Sequence, residues 1–361
     1  MQPKFVAMPK PLLLFVLLVV WAGCRRDPAL EGAQPDWVPT PLELDIPAWA
    51  VSPSHPAIFP PGNPLTVEGV ALGRRLFYEK ALSDDYSMSC ASCHRQEHAF
   101  NDPRRFSVGT DGSLGRRNAM SVQNVLWDHD FFWDGRAPTL EAQALGPVRD
   151  LHEMRNSWPV VEQRLRLMPD YPELFRRAFG TPGIDSMRVV RAIAQFERTL
   201  LSFGSPFDRY YYDGDTGALT EQQIRGMQLV FGEARCSQCH MPPLFMDHEP
   251  RNNGLPATQD AGRAEVTGVS ADRGRFKVAS LRNIAVSAPY MHDGRFATLA
   301  DVVGFYAEGV VLSTPNLDSH MIAWVNGEID LDPQERADLV SFMEALTDPA
   351  FLADPAFADP H

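Results

Sequence analysis

The chain has 361 residues, 44% hydrophobic and 22% charged, with a formal charge of −13 that becomes −15 without Lys4 and Lys10 of the N-terminal leader. That length supports two domains and excludes a small disulfide-stapled fold. The acidic balance argues against nucleic acid as a partner and leaves open a basic redox protein, or a cationic surface, drawn in by electrostatic steering.

Residues 1–23 read as an export signal, with Lys4 and Lys10 followed by the apolar run Leu12 to Val20, too short to span a bilayer. The run ends in Trp21-Ala22-Gly23-Cys24, which resembles a bacterial lipoprotein signal with Cys24 as the lipid acceptor, although Trp21 stands where Leu is usual. Lipidation accounts for the one cysteine outside the motifs described below; ordinary cleavage near Ala22 or Gly23, releasing a soluble periplasmic protein, is the alternative. Arg25 rather than Asp follows Cys24, so the usual inner-membrane retention signal is missing. The expected location is the periplasmic side of a bacterial membrane, the outer one by preference, touched only through a lipid anchor. The proline-rich residues 25–64 read as a tether.

Near-helical apolar spacing predicts a helix over Leu65 to Leu82, leading through Ser83-Asp84-Asp85 into Cys90-Ala91-Ser92-Cys93-His94. Cys-x-x-Cys-His is the attachment signal of c-type haem: two thioethers hold the macrocycle, and the adjacent imidazole takes the iron. It returns as Cys236-Ser237-Gln238-Cys239-His240, so four of the five cysteines predict two covalently bound c-type haems. A four-cysteine zinc site would leave both histidines without a role. Covalent haem attachment outside the bacterial cytoplasm agrees with export. A long polar loop follows His94 and is expected to cover one haem face; His98 within it reads as a surface or propionate-contacting residue rather than a ligand.

Ser121-Val122-Gln123-Asn124 and Trp133-Asp134-Gly135-Arg136 recur as Ser280-Leu281-Arg282-Asn283 and His292-Asp293-Gly294-Arg295, at a constant offset of 159. This is an internal duplication. Between the copies, helices are predicted over Val160 to Met168, Pro172 to Phe179 and Ser186 to Leu201, the last with a stripe of Val189, Val190, Ile193, Phe196 and Leu200. Gly204-Ser205-Pro206 marks a boundary. Thr220 with Gln223, and Asp332-Pro333 with Glu335, are capping boxes that open further helices, the last running from Glu335 to Leu346. The expected fold is mainly α, two tandem cytochrome c-type haem domains with the active region at their interface: 65–204 the N-terminal haem domain, 205–348 the C-terminal haem domain, and 349–361 a tail.

Function turns on the iron face opposite each histidine. Thr298 and Asp301 cap a helix that carries Tyr306; the duplicate position in the first half is Pro147, which cannot ligate iron. Gln143 and Glu153 flank it, and a carboxylate there suits acid–base work. An open first haem and a closed second one follow.

These residues resemble the bacterial di-haem cytochrome c peroxidase and MauG family over about residues 65–346. The resemblance rests on both haem motifs, Arg117-Asn118, Phe132 to Arg136, Gln143 to Pro147, Glu153-Met154, and Ser280-Leu281-Arg282-Asn283 through Ala288 to Gly294. It implies that Glu153 is the distal acid–base residue with Gln143 as pocket partner, that Trp133 relays electrons between the haems, and that Asn118 with carbonyls near Ser287 and Pro289 forms an interdomain calcium site. Two departures carry information. The first-loop position where reductively activated peroxidases hold a distal histidine falls on Thr110, and the axial Met of the second haem falls on Tyr306, with Met291 and Met321 as less favoured ligands by spacing. Tyrosine is MauG's choice and lowers the potential. The implied function is a MauG-like enzyme that uses hydrogen peroxide to oxidise a periplasmic protein through a high-valent state shared by both haems. A cytochrome c peroxidase fed by a small redox-protein donor is the alternative, and a non-catalytic di-haem electron carrier the second.

Overall fold

The structure, a computed structural model, describes residues 37–361 except Ser54, Ala257, Thr258, Ser313 and Pro315. The leader and Cys24 therefore lie outside the described residues. No described helix is long and apolar enough to cross a membrane.

The first repeat is built from α1 (Val67–Tyr78), α2 (Leu140–Arg149), α3 (Trp158–Leu167), α4 (Tyr171–Phe179) and α5 (Ser186–Glu197). Side chains begin three of them: Thr66 accepts from Gly69 N, Thr139 from Ala142 N and Asp185 from Arg188 N, each satisfying an amide that the helix leaves unpaired. The helix expected to reach Leu82 stops at Tyr78. The Glu79 carboxylate accepts from Ala81 N and from the Tyr171 hydroxyl, which caps a separate 3₁₀ turn over Lys80–Leu82. Likewise α5 ends before Leu201, although Leu200 remains fully buried.

The second repeat contains α6 (Pro206–Tyr211), α7 (Glu221–Phe231), α8 (Ala264–Thr267), α9 (Leu299–Gly304), α10 (Ile322–Val325) and α11 (Pro333–Glu344), and α12 (Pro349–Ala353) follows them. The capping boxes read from Thr220–Gln223, Thr298–Asp301 and Asp332–Glu335 all form. A fourth, Ser205 with Asp208, opens α6 at the expected boundary. The only named strands among the described residues are β1 (Pro250–Arg251) and β2 (Phe276–Lys277), an antiparallel pair.

Each repeat crosses the helix that delivers its haem motif over its long closing helix at a glycine. A Cβ on Gly73 of α1 would lie 1.8 Å from the Ala192 carbonyl oxygen of α5, and one on Gly226 of α7 would lie 2.0 Å from that of Asp338 in α11. The two apolar cores grow around these crossings: Leu72, Leu76, Phe77, Val189 and Phe196 in one, Phe207, Val230, Phe245, Leu339 and Phe342 in the other.

The duplication is also visible in the backbone. Asn124 and Asn283 both have positive φ (52° and 55°), and each opens a 3₁₀ turn, Val125–Trp127 and Ile284–Val286. Asn124 N bonds Leu200 O just past α5, and Asn283 N bonds Leu346 O just past α11. The bridges Phe131–Ala137 and Tyr290–Phe296 keep the offset. The repeats touch at these asparagines: the Asn283 amide donates to Gln123 Oε1 at 2.5 Å, and Gln123 Nε2 donates to Arg282 O at 2.6 Å.

Two expectations about the ends are corrected. From Trp37 onwards the supposed tether packs as a strap. Trp37 covers Gly180 and donates to Arg177 O, Leu42 N bonds Leu65 O, and Ala50 is buried among Leu126, Trp127, Leu244 and Met246 of both repeats. Proline opposes helix and strand but leaves an extended chain free to bury its apolar side chains, and this one carries Leu44, Ile46 and Trp49. The supposed tail also packs: Phe351 enters the first core, and Tyr78 and Arg74 of α1 bond the carbonyls of Phe357 and Ala358.

Candidate functional site

Both haem motifs adopt the same local form. Cys90–Ser92 and Cys236–Gln238 are 3₁₀ turns, closed by His94 N to Cys90 O and His240 N to Cys236 O. All four thiols are free. His94 Nδ1 lies 2.8 Å from Phe100 O and His240 Nδ1 lies 3.0 Å from Phe245 O. A carbonyl partner keeps the proton on Nδ1 and leaves the Nε2 lone pair for a metal. Burial holds both imidazoles below their ordinary pKa, so they are neutral near pH 7. Two unpaired thiols beside a neutral, oriented imidazole, present twice, fit two c-type haems.

Beside the first motif, the loop of Gly109 and Thr110 folds against the turn that carries Glu153. Thr110 N donates to Glu153 O at 3.0 Å, and a Cβ on Gly109 would meet His152 O at 2.3 Å. The Thr110 hydroxyl is buried without a hydrogen-bond partner. Burial, reinforced by the Asp150 charge, pushes the Glu153 carboxyl up to about 7; Arg136 pulls the other way. Glu153 is close enough for its charge to act on Cys90 and Cys93. Pro147, within α2, accepts from Met154 N, and Gln143 lies one turn earlier in α2, half-buried. The structure therefore brings Glu153 and Thr110 to the first motif.

Around the second motif lies a cavity of about 280 Å³ lined by Cys236, Cys239, His240, Tyr306, Trp133 and His292. Tyr306 sits on a π-helical turn, Phe305–Gly309, that continues α9. Its hydroxyl accepts from Asn253 Nδ2 at 3.1 Å, and burial pushes the phenol up to about 12 against that bond. The Met291 sulfur is 3.5 Å from the same amide, and Met321 also reaches the cavity. Trp133 donates its indole N–H to Asn118 O at 2.8 Å, and its own carbonyl accepts from Lys277 N.

The residues read as a calcium site are near one another but engaged elsewhere. Asn118 N bonds His292 O, its amide donates to Arg104 O and Arg105 O, and the Ser287 carbonyl accepts from Asn101 Nδ2 at 2.6 Å. Pro289 lines the cavity with them. Among the described residues no cluster of His, Cys, Asp or Glu is placed to hold a metal ion, so calcium there would rest on amide and carbonyl oxygens. His98 bonds Val286 O across the repeats.

Three features escaped the sequence. Arg136 lies 3.5 Å over the Phe132 ring and tunes Glu153. Asn253 holds the Tyr306 hydroxyl. His292, the duplicate of Trp133, stacks on Phe276 at 3.6 Å with Nε2 buried and unpartnered, and burial pushes it down to about 4. The 159-residue offset had already paired His292 with Trp133, but it carried no sign of the stacking or the burial.

The profile of the di-haem cytochrome c peroxidase family matches residues 67–217. The methylamine utilization protein MauG of Methylorubrum extorquens is 36% identical over 354 residues, covering 96% of this chain and 98% of that protein. The cytochrome-c peroxidase IdrP1 of a Pseudomonas species is 34% identical, covering 84% of this chain and 88% of its own length. Among solved structures, a MauG-like protein associated with microbial copper homeostasis superposes with a TM-score of 0.78 at 35% identity, over 88% of this chain and 99% of that one. The diheme peroxidase BthA from Burkholderia thailandensis, 24% identical, shares the fold with a TM-score of 0.71 over 86% of this chain and 92% of its own.

Proposed function

The chain belongs to the di-haem cytochrome c peroxidase and MauG family, and from that premise we propose that it uses hydrogen peroxide to oxidise a partner protein in the manner of MauG. Members of this family are oxidoreductases with two c-type haems. When bound, the haems supply redox-active iron at which peroxide is reduced and a second centre that shares the oxidising equivalents.

The chain supplies the rest. Peroxide enters the face opposite His94, where the repeat offers only Pro147 and the first loop only Thr110. Glu153 Oε takes the proton from the near peroxide oxygen and returns it to the far one, so that water leaves. A buried carboxyl near 7 can do both at neutral pH, and its place beside Thr110 and the thiols of Cys90 and Cys93 carries the peroxidase part of the reading. Gln143 holds the bound peroxide by hydrogen bonding, and Arg136 limits how far the Glu153 pKa rises. Trp133, tied to Asn118 and Lys277 between the repeats, is the electron bridge, and Tyr306, its hydroxyl fixed by Asn253, would be the second haem's ligand from the chain besides His240. In this reading residues 65–204 form the peroxidatic domain and 205–348 the electron-transfer domain. A calcium ion at Asn118 and the carbonyls of Ser287 and Pro289 belongs to it as well, displacing the Asn101 amide. So does lipidation at Cys24 on the periplasmic face of the outer membrane.

The peroxidase names of several relatives favour a second reading, peroxide detoxification with electrons from a small redox protein. One experiment separates the two. The haem-loaded protein is given peroxide with proteins encoded beside it, and their residues are mapped by mass spectrometry. A stoichiometric oxidative modification of one neighbour supports the maturation reading. Catalytic turnover of a reduced cytochrome or copper protein, with no modified neighbour, refutes it.

A further inference from the structure

A group of aromatic side chains on the proximal side of the second motif has no place in that mechanism. It begins at Phe245, whose carbonyl holds His240 Nδ1. The Phe245 ring stands edge-on to Phe207 at 5.0 Å between centroids; Phe207 lies 5.1 Å from Tyr211 and 6.0 Å from Tyr212. Tyr212 lies flat on Trp49 of the strap, 3.8 Å between ring centres with planes 2° apart. The path runs ring to ring from the imidazole's hydrogen-bond acceptor to the surface, where Tyr211 is 51% exposed. Its outer members are oxidisable residues, while the two phenylalanines only shorten the gaps between them. Arg282, 6.0 Å from Trp49, is paired with both carboxylate oxygens of Asp208, which weakens the positive charge that an electron hole there would meet. Trp49 lies outside the residues that match the family profile.

We propose that Trp49 and Tyr212, opening on Tyr211, form a one-electron relay that carries oxidising equivalents from the second haem site to a partner's oxidisable side chain at the surface. The proposal rests on the peroxidase reading. Reduction of one hydrogen peroxide to two waters consumes two electrons and two protons. The relay passes the electrons one at a time; each hole left on Trp49 or Tyr212 is filled by one electron from the partner, whose side chain releases one proton to water. Two such transfers close a turnover.

The test is to react the full-length, haem-loaded protein with peroxide in the absence of a partner. Haem optical changes report peroxide reduction, freeze-quench electron paramagnetic resonance reports organic radicals, and peptide mass spectrometry maps oxygen adducts. Wild type should show a radical, with adducts concentrated at Trp49, Tyr211 and Tyr212. The Trp49→Phe/Tyr211→Phe/Tyr212→Phe variant keeps the stacked rings and removes the redox-active groups; its radical yield should fall several-fold with the haem reaction within about twofold of wild type. A stack that serves packing alone predicts unchanged radical yield in that variant. Unchanged yield, or adducts confined to other residues while peroxide is reduced, would overturn the relay and leave the peroxidase reading standing. Failure of the wild-type haems to reduce peroxide would overturn both.

Discussion

Replacing Glu153 by Gln keeps the side chain's size and hydrogen bonding and removes its ability to take a proton. Loss of one positioned acid–base group costs about 10² to 10⁴ in rate, so peroxide reduction followed by stopped-flow absorbance should slow by that factor. The pH profile gives a sharper check. With the carboxyl at about 7, the ionised fraction, and the rate with it, falls about a hundredfold from its alkaline plateau to about pH 5, whereas a carboxyl at its ordinary 4.5 would lose only about a quarter. Arg136→Leu should move the midpoint up, because it removes the charge that favours the carboxylate, and Asp150→Asn should move it down. The raised pKa has a stability sign too. Between the unfolded pKa of 4.5 and the folded one of about 7, the native carboxyl holds a proton that the unfolded chain has released. Stability therefore falls as pH rises through that window, and Glu153→Gln should flatten the slope. A midpoint near 4.5, or a Gln variant that reacts at the wild-type rate, would refute the acid–base assignment.

Tyr306→Met should raise the reduction potential of the second haem, read by spectroelectrochemistry, because a thioether favours the ferrous state that a phenolate disfavours. Asp208→Ala strands Arg282, whose side chain is wholly buried, and should cost about 3–5 kcal/mol in denaturant unfolding. Phe351→Ala, removing a ring packed on Phe100 at 5.6 Å, should cost about 3–5 kcal/mol and raise hydrogen exchange in α1. Cys24→Ser should move the protein from the membrane fraction to the soluble fraction on cell fractionation.

The haem motifs, the long helices and the repeat were legible because each is encoded by neighbours in sequence: a capping side chain and the amide it serves lie three residues apart. The repeat offset extended this to the backbone, down to the left-handed Asn124 and Asn283. What stayed hidden depends on residues far apart. Asn253 reaches Tyr306 across a loop, and Arg136 acts on Glu153 through space. Proline content misled at residues 37–64 because it reports which backbone shapes are barred, and says nothing of whether Trp49 finds a partner such as Tyr212. The last thirteen residues carry Phe351, Leu352 and Phe357, too short a pattern to announce a buried face.

The return of those residues to the first repeat sets an order of events during synthesis. Gln96, two residues beyond the first haem histidine, bonds the Phe351 carbonyl across 255 positions of sequence, and Arg74 bonds Ala358 across 284. Contacts of that span carry a large loop-closure cost and slow folding. The first repeat cannot close on this side until residues 349–361 have been made and have reached Gln96 and Arg74. Residues 349–361 thus act as a latch on the first repeat, drawn from the far side of the second, so the haem motif at Cys90 to His94 and the segment that closes beside it are separated by the whole of the other repeat.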